Sequence, residues 1–124
     1  MSRDRILPEA YDALAPDGSE VRILASSERG SMSHFTLLPG QVSFAVFHLT
    51  VEEIWYILAG QGQMWRKSVV DESITELRTG LSLVIPVGTS FQFRSEGDTP
   101  LHAVGITMPP WPGMDEAVFV VGKW

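Results

Sequence analysis

The sequence predicts an all-β, antiparallel fold with little helix, and three features carry that prediction. β-branched and aromatic residues gather in short runs, the runs recur at fairly even intervals, and the 11 glycines and 8 prolines stand between them instead of clustering. Short strands with turns at this pace close into an antiparallel sandwich or barrel.

The elements follow in order. A polar lead comes first, in which residues 8–14 are expected to form at most a short helix. Strands are expected over 21–25, 33–38, 42–49, 54–58, 61–70, 74–78, 81–85, 90–94, 101–108 and 117–121. Between them stand Pro39-Gly40, Gly60-Gln61-Gly62, Asp71-Glu72-Ser73, Thr79-Gly80, Pro86-Val87-Gly88 and Glu96-Gly97-Asp98. In such turns Gly supplies positive φ, Pro presets φ, and Asp or Ser bonds the nearby backbone. In the strand over 42–49, alternation puts Phe44, Val46 and His48 on one face and Ser43, Ala45 and Phe47 on the other. Both faces are then largely apolar, and the outer one needs a cover, from which a homodimer is expected. The segment Met108-Pro109-Pro110-Trp111-Pro112-Gly113 lacks three backbone donors and cannot be an interior strand. It is expected to carry Trp111 across the barrel surface or its opening before an edge strand forms. The whole reads as one domain: an arm and first strand over 1–30, a barrel core over 31–108, and a Pro-rich segment with an edge strand over 109–124.

Composition narrows the function. Nine Lys and Arg against fifteen Asp and Glu give a formal charge of -6, which lacks the cationic face that nucleic acid or an anionic membrane requires, so neither is expected as a partner. The absence of Cys removes disulfides, thiol catalysis and thiolate metal sites. No apolar run is long enough for a signal sequence or a transmembrane helix, and a cytoplasmic location is expected. Histidine and carboxylate chemistry remain.

Residues 39–60, PGQVSFAVFHLTVEEIWYILAG, and 80–95, GLSLVIPVGTSFQFRS, resemble the two signature motifs of the cupin family, G(X)5HXH(X)3-4E(X)6G and G(X)5PXG(X)2H(X)3N. The resemblance implies a jelly-roll barrel, the double-stranded β-helix, in which three histidines and one glutamate hold a divalent metal. Position by position, the glycines fall on Gly40, Gly60, Gly80 and Gly88, the proline on Pro86, the second histidine on His48 and the glutamate on Glu53. The first histidine is Val46 here, the third is Phe91, and the closing asparagine is Ser95. Two of the four ligand positions therefore carry side chains that coordinate nothing.

A divalent transition ion generally needs three protein donors, so no cofactor is expected. A metal would require His34, His48 and Glu53 as a three-donor set, with His34 facing inward; His102, in a place that is commonly solvent-facing, carries little weight. The resemblance implies that Trp55 and Ile57 point inward with Glu53, that Met64 lies beside them, and that Phe91 and Phe93 line the opposite sheet. The expected function is the binding of a small apolar or aromatic molecule inside the barrel, in a pocket of Val46, His48, Glu53, Trp55, Met64, Phe91 and Phe93, with His48 or Glu53 fixing the polar end. The alternative is an enzyme with His48 and Glu53 as catalytic acid and base, either a metal-free isomerase or a metal-dependent oxygenase or isomerase. Two plainer readings stand beside these: His48 and Glu53 bonded only to each other, and a barrel plugged by its own aromatic residues. Glu52 is expected to point outward, at most one of Arg66 and Lys67 to lean toward the barrel mouth, and Asp115 and Glu116 to be solvated.

Overall fold

In a computed structural model, which describes residues 4–124, the chain forms two facing antiparallel sheets. The strands are β1 (Ala13–Leu14), β2 (Glu20–Ser26), β3 (Ser31–Leu37), β4 (Val46–His48), β5 (Glu52–Ala59), β6 (Gln61–Lys67), β7 (Glu72–Arg78), β8 (Ser82–Ile85), β9 (Ser90–Glu96), β10 (Leu101–Met108) and β11 (Ala117–Phe119). One sheet runs β1-β2-β3-β10-β5-β8 and the other β11-β4-β9-β6-β7, so the chain crosses repeatedly between them and closes a jelly-roll, double-stranded β-helix. A single 3-10 turn, Met114–Glu116, is the helical content among the described residues, and no helix there is long and apolar enough to cross a membrane.

Alternation along β5 shows why the sequence folds this way. Glu53, Trp55 and Ile57 are buried while Glu52, Ile54, Tyr56 and Leu58 are exposed, the period of two that a sheet with one covered face imposes. Between the sheets, Ile57, Met64, Leu77, Phe93 and Leu101 pack into a solid plug that fills one part of the barrel. Beside it Trp55 stacks on Phe35, with ring centroids 5.0 Å apart and planes 15° off parallel. That stack depends on Gly105 on the neighbouring strand, where a Cβ would lie 2.7 Å from the Phe35 ring and 3.0 Å from the Trp55 indole nitrogen.

Two segments depart from the sequence expectation, while residues 8–14 keep within theirs of at most a short helix. No helix forms over residues 8–14, because tertiary bonds claim the carbonyls a helix would use: the Arg22 guanidinium donates to Pro8 O at 3.0 Å and Glu9 O at 2.7 Å. Asp12 meanwhile takes Arg5 at 2.9 Å and the Ile23 N–H at 2.8 Å, which ties the arm to β2. The even alternation expected over 42–48 slips between Ala45 and Val46, so that Ser43, Ala45, Val46 and His48 are buried while Phe44 is 61% exposed. Here the chain bonds three different segments in turn: Ser43 N–H to Phe93 O, Phe44 N–H to Asp17 O, and Ala45 O from Val120 N–H. No single neighbour imposes one register. The strand expected over 61–70 stops at Lys67, where Ser68 N–H donates to Asp71 O at 2.8 Å and turns the chain.

Candidate functional site, an apolar pocket with buried acids

Where the plug ends, a cavity of about 340 Å³ remains between the sheets. Inward positions of successive strands line it: Ser31, Ser33 and Phe35 from β3, Val46 and His48 from β4, Glu53 and Trp55 from β5, Phe91 from β9 and Thr107 from β10. Two irregular segments complete the walls, one bringing Asp17 and the other Pro110 and Trp111. Leu14, Ile23 and Met114 are half exposed or more at the rim. The Trp111 N–H donates to the Ser31 hydroxyl at 2.9 Å, and its ring meets the His48 ring edge-on at 5.0 Å, so the Pro-rich segment is a strap across the mouth.

Two of the titratable groups face each other. His48 Nδ1 and Glu53 Oε1 are 3.9 Å apart, too long for a hydrogen bond. Burial pushes the Glu53 carboxyl up to about 8; the Trp55 indole N–H, donating to Oε2 at 2.7 Å, opposes this and the Asp17 charge adds to it. Burial also pulls the His48 imidazole down to about 4, with Glu116 pulling weakly the other way. Near pH 7 both groups are therefore neutral, and a pair that lies within ion-pair distance is not an ion pair. His48 Nδ1 has no hydrogen-bond partner among the described residues, although the residue is only 6% exposed. Asp17 is buried as well, its carboxyl raised by that burial, with both of its bonds from Ser19, at 2.9 Å and 2.7 Å, ending on the single oxygen Oδ1.

Of the residues singled out in the sequence, Val46, His48, Glu53, Trp55 and Phe91 line this pocket. Ile57, Met64 and Phe93 do not; they belong to the plug, where Phe93 meets Trp55 edge-on at 5.1 Å. His34 takes no part, since inward-facing Ser33 and Phe35 flank it and turn it to the outer side of β3. There its ring lies 5.2 Å from that of His102. The three-donor set of His34, His48 and Glu53 is thus not assembled. Glu52 is exposed, and the Arg66 guanidinium bonds Val84 O and the Thr75 hydroxyl, each at 2.7 Å, away from the pocket. Asp115 is exposed, but Glu116 is not solvated: it is 5% exposed and its carboxylate accepts from the Thr50 hydroxyl and the Val51 N–H, each within 2.9 Å, and from the Thr50 N–H. Asp17 was missed in the sequence. Its local signal, an Asp-Gly-Ser turn, identifies a bend but says nothing of docking into a barrel mouth.

Val46 and Phe91, each 1% exposed, stand where the resemblance puts two metal ligands, and among the described residues no three of His, Asp and Glu form a group that could hold a metal ion. One imidazole and one carboxyl 3.9 Å apart are fewer donors than a divalent transition ion needs.

Comparison with known proteins bears on the fold and the family. The family model of the cupin domain matches residues 33–107. The uncharacterized protein MJ1618 of Methanocaldococcus jannaschii is 28% identical over 123 residues, covering 92% of this chain and 95% of that one. Among solved structures, an uncharacterized protein with a double-stranded beta-helix domain from Klebsiella pneumoniae superposes with a TM-score of 0.70 at 13% identity, covering 97% of this chain and 92% of the other. Oxalate decarboxylase superposes with a TM-score of 0.73 at 18% identity over 91% of this chain, which spans 30% of that enzyme. At such identities the likeness is one of fold.

Proposed function

The chain belongs to the cupin family, and we propose that it is a binding member, whose barrel takes a small apolar or aromatic molecule with a polar end at His48 and Glu53 and without a tightly bound metal. One observation carries this reading: an imidazole whose buried nitrogen has no partner, 3.9 Å from a carboxyl oxygen, stands in the wall of an apolar cavity of about 340 Å³. A buried polar atom left unbonded costs about 1–3 kcal/mol, which a ligand that bonds it recovers. The volume suits a single-ring compound. Apolar Val46 and Phe91 replace charge by bulk and favour a hydrophobic body over an ion.

Thermal denaturation with a panel of one-ring and short-chain alcohols, amines, amides and acids tests the proposal. At a concentration about 100 times Kd, a binder is expected to stabilise the fold by about 2.7 kcal/mol, a shift of several degrees. The variant Ser33→Phe, which places a ring in the cavity, abolishes that shift. A panel in which no compound raises the wild-type Tm discards the reading.

A second reading, metal-free acid–base isomerisation, has one observation in its favour. Glu53 keeps its proton to about pH 8 while His48 is unprotonated above about 4, so a proton donor and a proton acceptor face each other at neutral pH. Turnover of a bound compound, lost in both Glu53→Gln and His48→Ala while binding persists, distinguishes catalysis from binding alone.

A further inference from the structure

We infer that the polar end of the ligand is a protonated amine, seated against the Glu53 and Asp17 carboxyls and the aromatic rings of the barrel mouth. The inference rests on the binding function above and names its ligand class. Its ground is the one-sided chemistry of the wall. Asp17, His48 and Glu53 all line the cavity, and no Lys or Arg does among the described residues. An anionic ligand would lose its hydration, meet no cation and face two acids. An ammonium group suits the same wall, because it carries three donors and no acceptor.

The acceptors are in place. Glu53 Oε1 has no hydrogen bond among the described residues, since the bond from Trp55 ends on Oε2, and His48 Nδ1 stands 3.9 Å from it without a partner. Asp17 lies within electrostatic reach of Glu53 and spends both its bonds on one oxygen. Trp55, Phe91 and Trp111 line the same wall; Trp111 meets the His48 ring at 5.0 Å, and Phe91 meets it at 5.3 Å. Aromatic rings beside buried carboxyls attract a desolvated cation. Without a cation the two acids are merely expensive: each is buried, the Asp17 charge adds to Glu53's cost of ionising, and burial leaves Glu53 protonated at neutral pH. With one bound, Glu53 ionises and its proton passes to solvent. The titratable groups that face Glu53 in this event are Asp17 from the arm and His48 from β4, with Glu116 behind His48; its strand neighbours Ile85 and Thr107 are neutral.

Isothermal calorimetry with three near-isosteres tests the inference: 2-phenylethylamine, 2-phenylethanol and phenylacetate. The amine is expected to bind wild-type protein about tenfold or more tighter than the alcohol, and the carboxylate to give no heat. Titration in buffers of different ionisation enthalpy at pH 7 is expected to show close to one proton released per amine bound. In Glu53→Gln the preference over the alcohol collapses and the proton release disappears; Asp17→Asn weakens the amine more than the alcohol, which separates charge from folding. An alcohol that binds as tightly as the amine, or a carboxylate that binds tighter, overturns the inference while the binding function stands. If all three fail, and the wider panel above fails with them, the binding function falls and the inference with it; if all three fail while other panel members bind, the inference alone is overturned unless those binders are amines.

Discussion

Two glutamates of this chain have almost no exposed surface, Glu53 at 3% and Glu116 at 5%, but Glu53 lies deep between the sheets while Glu116 lies under a thin cover, and they are held in opposite ways. Glu116 sits behind the turn at Thr50–Val51, where the Thr50 hydroxyl and the N–H groups of Thr50 and Val51 all donate to its carboxylate. Burial would raise its pKa, but these donors outweigh burial and hold it below the ordinary value. Glu53 receives one bond, from Trp55, and burial wins, up to about 8. The same side chain is a structural fastener in one place and an unspent polar group in the other. Lack of exposed surface alone therefore does not identify a functional acid; its depth and the number of donors aimed at it do.

The largest expected effect breaks the fastener. Glu116→Ala removes the acceptor of three donors around the turn that leads into β5 and leaves the buried Val51 N–H without one, and chemical denaturation is expected to show a loss of about 2–3 kcal/mol. Glu53→Gln keeps the shape and an acceptor for Trp55, removes a buried acid, and is expected to cost little or to stabilise at pH 8. Equal losses in the two variants would show that Glu53 is as much a fastener as Glu116.

The next effect is smaller and separates the two by pH. Glu53 is raised above its ordinary 4.5, so the folded chain keeps a proton the unfolded chain loses; its contribution is fullest below 4.5 and declines as pH rises toward 8. His48 is lowered from 6.5 to about 4, so over that range stability increases as pH rises and opposes the Glu53 trend. Above 6.5 that opposition has ended, and raised Asp17 acts in the same sense as Glu53. Between pH 6.5 and 8 the protein is expected to lose roughly 1–2 kcal/mol by urea denaturation, and Glu53→Gln to lose markedly less. Lowered Glu116 gives the opposite signature, a contribution present above 4.5 and lost in acid, so Glu116→Gln is expected to flatten the acid limb instead. An alkaline limb unchanged in Glu53→Gln would contradict the burial argument.

How much of this was legible in the sequence follows from what each feature depends on. The strands were legible because a sheet covered on one face stamps a period of two, plain in β5, and because turn residues mark its ends. The pocket residues Val46, His48, Glu53, Trp55 and Phe91 were reachable because motif spacing counts along strands. The side to which His34 points was not, since a slip of one residue reverses every side chain and no motif pinned β3. Phe44 shows the same hazard realised, where the chain leaves one partner for the next. Asp17 and Glu116 were illegible for a further reason. Both sit outside the motif strands, and their burial is decided by how the arm and the strap dock, which local composition does not encode.

The smallest effect probes the single bond that separates Glu53 from full isolation. The Trp55 N–H donates to Oε2 and favours the charged carboxylate, whereas the surrounding burial disfavours it. Trp55→Phe removes the donor and keeps a ring against Phe35, so the Glu53 titration followed by carbon NMR of the labelled side chain is expected to move further upward. The Glu116 counterpart is Thr50→Val, which removes one of several donors and is expected to raise that carboxyl as well, but from below the ordinary range. A downward movement of Glu53 in Trp55→Phe would mean that water entering the smaller side chain's space solvates the acid better than the indole did. The pocket would then be governed by hydration, and the contrast between the two glutamates would lie in access to solvent instead of in the count of donors.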